Sequence, residues 1–592
     1  MAQPTRWTLF SVGLVFLFLN AAAFSEIPSP LDTPGGPKDV TRSRYTPGIG
    51  TRGMVVSDDQ VASEWGAEIL RQGGNAVDAA VATAFALAVT RPHFASLGGG
   101  GFLLYCPKAK AKTSSPCTVI DYREKAPGAS TRDMYYKEGT SRTDLSQNGT
   151  LASGVPGVPA GLLLALEKFG RTQRQKLLHR PIQIAERGYL FTPQSESSAY
   201  SRWDFMNPAA RKIFGCKGGT NSQTVPCPAG TIIKQPELAN TLRAISRKGV
   251  QGFYTGEVAK KITHGIQSGG GILSLQDLAN YKPTIRTPLH GHFSDWDVVT
   301  MPPPSSGGGI LLQLLAYTDR ANKMGAFKNG PGSPESMHAI IHAMSLAFAD
   351  RAHHYGDPDF VANPLKYLLR PEYLDERWKT FRVAKASLPK EPGEIPNEPE
   401  HTTHLSVIDK DGNAVALTTT VNDFWGSGFV PPGTGVVMNN QMDDFSVHPG
   451  TPNLFRLVGD EANAIQPGKR PLSSMTPTIL RDAEGNNQIV IGAAGGPRIP
   501  TSVYLSLLNH LVFNMTLPDA VAAPRFHHQW KPEAVVLETN GFTLETHKAL
   551  KEKGYTFGQW NIRGLIHAIR RYPNGRVWGV ADPRGEGASA GE

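Results

Sequence analysis

The pattern of the sequence changes abruptly near residue 401, and this change limits the folds that the chain can adopt. Residues 389–400 are rich in proline and glutamate, a composition that predicts a solvated linker. Directly after it come two runs typical of β-strands, residues 404–408 and 414–420, joined by the polar turn Asp409-Lys-Asp-Gly-Asn413. The pattern predicts a β-hairpin centred on Asp411.

This hairpin predicts one specific pair of side chains. Thr402 and Thr420 each lie nine residues from Asp411. In a symmetrical hairpin they face each other, and their hydroxyls come within reach across the ladder. Threonine is also a good strand former, so the spacing alone does not distinguish a functional pair from ordinary strand composition.

The pattern before the linker predicts helices and paired strands. The second predicted helix has Asn75 as its cap and is apolar on nearly every side, which indicates burial. The predicted elements are helices over residues 58–71, 76–89 and 336–354, and strands over residues 103–106 and 118–123.

The chain is large enough for one or two compact bodies. It has 592 residues, 40% of them hydrophobic and 19% charged, which excludes a disordered tail or a fibrous repeat. Lys and Arg number 60 against 51 Asp and Glu, a net charge of +9. Because these charges form no basic cluster, nucleic acid is not expected as a partner.

The N-terminus predicts export. An apolar stretch, Leu9–Leu19, is followed by three alanines, the order found in a cleavable signal peptide, which we assign to residues 1–25. The uncharged span of residues 7–25 could instead remain as a membrane anchor. Residues 26–53 are rich in Pro, Gly and Thr and predict an exposed lead-in.

The cysteines and two sequons also suit a secreted protein. The four cysteines fall into two local pairs, each 11 residues apart: Cys106 with Cys117, and Cys216 with Cys227. This spacing favours two small disulfide loops in an oxidising compartment, although four cysteines permit three connectivities. Asn148 and Asn514 each begin a glycosylation sequon.

Several short motifs are incomplete. Residues 48–53 match a dinucleotide-binding glycine pattern but follow no buried strand, so they predict a loop. Residues 587–591 match a serine-hydrolase elbow without room for its helix, so they predict a frayed tail. The turn at residues 409–413 lacks the glycine and glutamate of a calcium loop. Three histidine pairs predict ordinary hydrogen-bonded side chains and no metal site: His353 with His354, His527 with His528, and His401 with His404.

Longer blocks carry a family resemblance. Residues 402–413, Thr-Thr-His-Leu-Ser-Val-Ile-Asp-Lys-Asp-Gly-Asn, strongly resemble the γ-glutamyltranspeptidase family of N-terminal-nucleophile hydrolases. The resemblance extends from about Gly53 to Pro583 and implies an α+β fold, a four-layer αββα sandwich built from both parts of a self-cleaved precursor. The other matching blocks are residues 73–80, 97–102, 121–124, 439–445, 471–475 and 495–496.

The resemblance implies that the precursor cuts itself between His401 and Thr402. The products would be a large subunit, residues 26–401, and a small catalytic subunit, residues 402–592, which together form a heterodimer. The freed α-amino group of Thr402 can accept the proton of its own hydroxyl, so nucleophile and base belong to one residue.

Three more residues are implied to act in catalysis. By motif position Thr420 hydrogen-bonds the nucleophile, and it is the partner that the hairpin symmetry also predicts. Gly495 and Gly496 match the family's oxyanion hole, where backbone N–H groups receive the charge that develops on the carbonyl oxygen.

The implied donor is a γ-glutamyl compound, with glutathione as the leading candidate, and no cofactor is implied. The acyl group would pass to water or to the amine of an amino acid or peptide. The α-amino and α-carboxylate groups of the donor require both an anion and a cation. By resemblance, the carboxylate is held by Arg123 with Ser473 and Ser474, and the amino group by Asn422, Gln441 and Asp444.

One departure concerns the lid that covers the pocket in many bacterial members. Phe455, within residues 452–458, stands where some members carry tyrosine, and it lacks a hydroxyl that could bind Asn422. The sequence leaves two alternatives: a glutaryl-type acylase of the same superfamily, and a non-catalytic secreted binding protein with this fold. The amino-group residues argue against the first, and the retained nucleophile set argues against the second.

Overall fold

The computed structural model describes residues 47–109, 116–137, 140–218, 223–388, 402–448, 451–558 and 564–592. The predicted signal peptide, most of the lead-in, the linker at residues 389–400 and His401 lie outside the described residues.

The predicted hairpin lies at the centre of a sheet that we call sheet 1. Thr403 pairs with Thr419 and Ile408 with Ala414, which confirms the register centred on Asp411. Among the described residues sheet 1 has seven antiparallel strands, in the order Thr284–Arg286, Thr118–Asp121, Gly100–Cys106, Ala414–Thr420, Thr403–Ile408, Met54–Ser57 and Ala588–Gly591.

A second sheet, sheet 2, packs face to face against sheet 1. Phe102 and Leu104 of sheet 1 share one apolar core with Ile479 and Ile491 of sheet 2. Among the described residues sheet 2 has seven antiparallel strands, in the order Gly48–Gly50, Val577–Ala581, Leu565–Arg571, Asn487–Ala494, Thr478–Arg481, Trp296–Thr300 and Leu289–Phe293.

Helices cover the outer face of each sheet and complete the four-layer αββα sandwich, as expected. In sheet 1, Leu103 points to the opposite face from Phe102 and packs in the core of the helical layer, because successive side chains of a strand alternate. The sheet 1 layer comprises Gln60–Arg71, Ala76–Thr90, Val158–Phe169, Arg174–Arg187, Pro236–Lys248 and Gly256–Ser268. The sheet 2 layer comprises Gly307–Lys323, Pro334–His354, Arg498–Leu511, Leu517–Ala522 and Leu544–Glu552.

Shorter elements connect these layers. The remaining helices are Thr143–Gln147, Pro193–Arg202, Pro208–Phe214, Gln251–Tyr254, Leu275–Asn280, Leu365–Leu368 and Pro371–Trp378, with 3₁₀ turns at Thr150–Ala152, Trp203–Phe205, Gln441–Asp444 and Glu461–Asn463. The remaining strands are Tyr136–Lys137, Thr140–Ser141, Tyr189–Leu190, Gly215–Lys217, Thr224–Pro226, Ile232–Ile233, Phe526–His527, Ala534–Leu537 and Thr556–Gly558.

The predicted helices form with small changes at their ends. The Asn75 side chain accepts from the N–H groups of Val77 and Asp78, both at 3.0 Å, and so caps the buried helix as expected. The preceding helix begins at Gln60 rather than residue 58, because Asp59 is its cap and accepts from Ala62 N at 2.9 Å.

Two glycine-rich segments differ from expectation. The predicted loop at residues 48–53 begins as the edge strand Gly48–Gly50 of sheet 2, and the predicted frayed tail forms the edge strand Ala588–Gly591 of sheet 1. Both predictions were wrong for one reason: an edge strand needs a neighbour on one side only, so segments without an apolar pattern can still pair.

Both disulfides form as predicted, Cys106 with Cys117 and Cys216 with Cys227, and each bonded pair lies at adjoining strands. Within the described ranges no helix combines the length and apolar character needed to cross a membrane.

Candidate active site

The two threonines of the hairpin meet at the edge of a pocket. Thr402 directly precedes its strand and Thr420 ends the neighbouring one, with 3.3 Å between their Oγ1 atoms. The N–H of Asn422 donates to Thr420 Oγ1 at 2.8 Å and so fixes the position of that hydroxyl. Both threonine side chains are buried, so little water reaches either hydroxyl.

The pocket collects most of the residues predicted for the site. Beside Thr402 and Thr420 it is lined by eight of them: Arg123, Asn422, Gln441, Asp444, Phe455, Ser473, Ser474 and Gly496. Gly495 adjoins Gly496. His401 lies outside the described residues, and the disulfides and the two sequon asparagines do not line the pocket.

The two glycines form the turn between a sheet 2 strand and a helix. They follow Asn487–Ala494 and precede Arg498–Leu511, with φ angles of +125° at Gly495 and +52° at Gly496. A Cβ atom on Gly496 would lie 2.7 Å from the ring of Phe455. Glycine is therefore required here by both the backbone conformation and the space available.

Arg123 and Asp444 place a cation beside an anion. Arg123 Nη2 donates to Asp444 Oδ2, and Gln441 Nε2 donates to the same oxygen at 2.7 Å. The guanidinium also donates to the carbonyls of Pro471 and Leu472, each at 3.2 Å. The α-amino and α-carboxylate groups of an amino acid share one carbon, so a site for both needs opposite charges this close together.

Burial shifts the proton affinities of the acidic groups here. It raises the pKa of Asp444, while the Arg123 guanidinium opposes the shift. It raises the pKa of Glu124 to about 8, again against the influence of Arg123, whose Nη1 lies 3.5 Å from Glu124 Oε2. It also raises the pKa of Asp443, the neighbour of Asp444, to about 7.

Ser473, the first of the two pocket serines, is held by Ser306, which precedes Thr402 in the chain. Ser306 donates to the carbonyl of Ser473 through both its N–H and its hydroxyl, each at 2.9 Å. Ser473 Oγ accepts from Met475 N at 3.1 Å, so its own proton can still be donated. Ser474 is buried beside it in the pocket wall.

Arg351 is the most informative pocket residue that sequence reasoning missed. It belongs to the helix Pro334–His354, is 3% exposed, and burial lowers its pKa to about 10. It follows Phe348 by three residues and Met344 by seven, so the helical spacing of the sequence puts a cation on the apolar face of the helix. This unusual position is the signal that could have identified Arg351. Of the other lining residues, Asn453 and Leu457 belong to the segment predicted as the lid, whereas Leu472, Met475 and Ile499 were given no role in the site.

The histidines behave mostly as ordinary polar side chains. His404 bonds Thr418 at 2.8 Å and Ser406 at 3.1 Å, and His527 bonds Thr501 at 2.9 Å. Across the described part of the chain, His, Cys, Asp and Glu side chains form no group that could hold a metal ion.

Two facing antiparallel sheets between helical layers, with a threonine hydroxyl at the start of a central strand, define an N-terminal-nucleophile hydrolase. A structure of cephalosporin acylase from Bacillus halodurans is similar, with a TM-score of 0.78 and 27% identity over 93% of this chain and 98% of that one. The γ-glutamyltranspeptidase of Helicobacter pylori gives a TM-score of 0.52 and 33% identity, covering 58% of this chain and 93% of that one.

Sequence comparison identifies the family to which this chain belongs within the class. The family profile described as Gamma-glutamyltranspeptidase matches residues 62–592. The glutathione hydrolase proenzyme of Escherichia coli (strain K12) is 39% identical over 590 residues, 99% of this chain and 98% of that protein. The chain belongs to the γ-glutamyltranspeptidase family, enzymes of γ-glutamyl transfer and hydrolysis.

Proposed function

We propose that this chain is the precursor of a glutathione hydrolase that uses Thr402 as its nucleophile. The observation that carries the proposal is the buried Thr402 hydroxyl, 3.3 Å from Thr420, in a pocket that also holds Arg123 and Asp444. The relative from Escherichia coli is named a proenzyme, which supports a precursor that must be cut.

Apart from removal of residues 1–25, maturation requires a single cut. Thr402 Oγ1 attacks the carbonyl carbon of His401, the peptide C–N bond breaks, and an ester joins the two parts. Water then opens the ester, which leaves a carboxylate on His401 and restores the hydroxyl beside a free α-amino group. The products are the large subunit, residues 26–401, and the small catalytic subunit, residues 402–592.

Turnover repeats this chemistry on a γ-glutamyl donor. The α-amino group takes the Thr402 proton as the oxygen attacks the γ-carbonyl carbon, and the leaving amine departs with a proton. The N–H groups of Gly495 and Gly496 stabilise the oxyanion, a type of contact whose loss costs about 2.7–4 kcal/mol. Water or an acceptor amine then attacks the ester, which releases glutamate or a new γ-glutamyl amide.

The charged pair favours γ-glutamyl over glutaryl donors. Arg123 binds the α-carboxylate with Ser473 and Ser474, while Asp444, with Gln441 and Asn422, binds the α-amino group. A glutaryl group has no amino group to donate to the Asp444 carboxylate, so it would lack the charge-assisted hydrogen bonds that a γ-glutamyl donor gains there. The acylase alternative is therefore disfavoured despite the acylase among the structural neighbours.

Two further parts of the proposal concern the predicted lid, which contains Phe455, and the export of the protein. Phe455, which lies against Gly496, would shield the acyl-enzyme from water. Residues 1–25 would direct export, consistent with the two disulfides. Of the two sequons, Asn514 is exposed, whereas the Asn148 amide oxygen accepts from Arg202 at 2.7 Å, so Asn514 is the better glycan acceptor.

The test uses two donors that differ only in the α-amino group, γ-glutamyl-p-nitroanilide and glutaryl-p-nitroanilide. The wild-type enzyme should cleave the first far faster, and Asp444→Ala should lower that rate while leaving the slow glutaryl rate unchanged. Equal rates on both donors, or an equal loss on both in Asp444→Ala, would contradict the proposal.

A further inference from the structure

Phe455 has no hydroxyl with which to hold a lid in place, yet its segment is firmly bound. We infer that residues 452–458, here called the cover segment, are held over the pocket through their main chain by Asp443, Gln529 and Arg351. These three positioning residues set how the acyl-enzyme divides between water and an acceptor amine. The inference rests on the proposed function of Thr402.

The first contact fixes the start of the cover segment. Asp443 Oδ2 accepts from Leu454 N at 2.7 Å, and its Oδ1 accepts from Ser146 Oγ at 2.5 Å. Asp443 is fully buried and immediately precedes Asp444. The cover segment is thus tied to the same short turn that supplies the proposed amino-group ligand.

The second contact holds the residue that lies over the pocket. Gln529 Nε2 donates to the carbonyl of Phe455 at 3.1 Å, and Gln529 Oε1 lies 2.9 Å from His527 Nε2. A carbonyl only accepts, so the amide nitrogen must face Phe455 and the amide oxygen must face His527. His527 Nε2 therefore carries a proton.

This second contact continues to the proposed oxyanion hole. His527 Nδ1 lies 2.9 Å from the hydroxyl of Thr501, which belongs to the helix Arg498–Leu511, separated from Gly495 and Gly496 only by the cap residue Pro497. Burial lowers the pKa of His527 well below its usual value, in keeping with a neutral ring. The position of Phe455 is thereby coupled to the helix behind the two glycines.

The third contact fixes the end of the cover segment. Arg351 Nη1 donates to the carbonyl of Val458 at 3.1 Å, from a guanidinium that also lines the pocket. Within the segment, Asn453 Oδ1 accepts from the N–H groups of Phe455 and Leu457 at 3.0 and 3.2 Å. The turn is therefore formed internally and held from outside at its start, middle and end.

The three contacts matter most after the donor has reacted. A γ-glutamyl ester on Thr402 is lost to any water that reaches it, whereas transfer needs an amine held in position. Loosening the cover segment admits water without improving the position of the amine. The ratio of hydrolysis to transfer should therefore rise, while formation of the ester changes little.

The experiment measures this ratio in Gln529→Glu and Gln529→Met. The first places a carboxylate against the Phe455 carbonyl, and the second removes the donor at similar size. Gln235→Glu is the matched control, because Gln235 is also buried and its Nε2 donates to the carbonyl of Val89 at 2.8 Å, away from the pocket. With γ-glutamyl-p-nitroanilide and glycylglycine, p-nitroaniline reports ester formation, glutamate reports hydrolysis and γ-glutamyl-glycylglycine reports transfer.

Both Gln529 variants should raise the hydrolysis-to-transfer ratio about two- to tenfold, the range expected for one lost hydrogen bond, whereas Gln235→Glu should match the wild type. Partly misfolded preparations remain informative, since the amount of active enzyme cancels from the ratio. Unchanged ratios in both Gln529 variants, or an equal rise in Gln235→Glu, would overturn the inference. Failure of the proposed function would give a different result from failure of this inference, because the wild type would then release no p-nitroaniline.

Discussion

At the scale of single residues, the site depends on charges buried beside one another. Arg123 contacts Asp444, lies 3.5 Å from Glu124 and donates to two carbonyls, so its charge is balanced by acceptors on several sides. Removing one member of such a group leaves the others buried without compensation. The contribution of Glu124 to folding stability can be separated from those of its neighbours, because it changes with pH.

The Glu124 side chain is fully buried, with the Arg123 guanidinium 3.5 Å from its carboxylate. Its pKa is raised from 4.5 to about 8 in the folded protein. Between these values the folded state keeps a proton that the unfolded state has released, so this group lowers stability as pH rises towards 8. Above about pH 8 both states are ionised and the effect is constant.

Glu124→Gln should therefore gain stability relative to the wild type as pH rises from 6 to 8, by at most about 1.4 kcal/mol per pH unit, and level off above 8. Thermal midpoints of the two proteins at pH 6, 7, 8 and 9 test this. A difference that stays constant across the series would mean that Glu124 is already ionised in the folded protein at pH 6.

At the scale of elements, the hairpin was the most predictable part. Its polar turn and the strand-forming runs on either side predicted the register, and that register brings Thr402 to Thr420. The sequence could not place Arg351 in the pocket, because its distance from the hairpin depends on how the helix Pro334–His354 packs against sheet 2. The edge strands were also missed, since pairing at an edge depends on backbone proximity more than on side-chain pattern.

The shielding proposed for the cover segment can be tested with a single substitution. Phe455 is 5% exposed and lies against Gly496, so Phe455→Ala removes the ring but leaves the main-chain contacts. We expect a larger share of the ester to be lost to hydrolysis in the presence of a dipeptide acceptor, with little change in ester formation. Glutamate and transfer product are measured together, and an unchanged share would show that the ring does not shield the ester.

At the scale of the whole molecule, the αββα sandwich interleaves the two proposed subunits. In sheet 1 the strand Ala414–Thr420 pairs with Gly100–Cys106, and Thr403–Ile408 pairs with Met54–Ser57. The proposed cut before Thr402 breaks none of these ladders. The overall sandwich followed from the family resemblance, whereas this interleaving becomes visible only when the strand order is known.

The interleaving predicts that the cut chains stay together. On size-exclusion chromatography without denaturant, both should elute in one peak, and they should separate only when the sheet is unfolded. Elution of either subunit alone under native conditions would contradict a sandwich shared by both.

Thr402 is proposed to be both the site of the cut and the nucleophile. The most direct measurement is the intact mass of the purified wild-type protein and of Thr402→Ala, with turnover of a γ-glutamyl donor measured alongside. We expect the active wild type to contain a chain of residues 402–592 with Thr402 at its N-terminus, and Thr402→Ala to be a single, folded, inactive chain. A two-chain Thr402→Ala protein, or an active wild type that remains uncut, would contradict it.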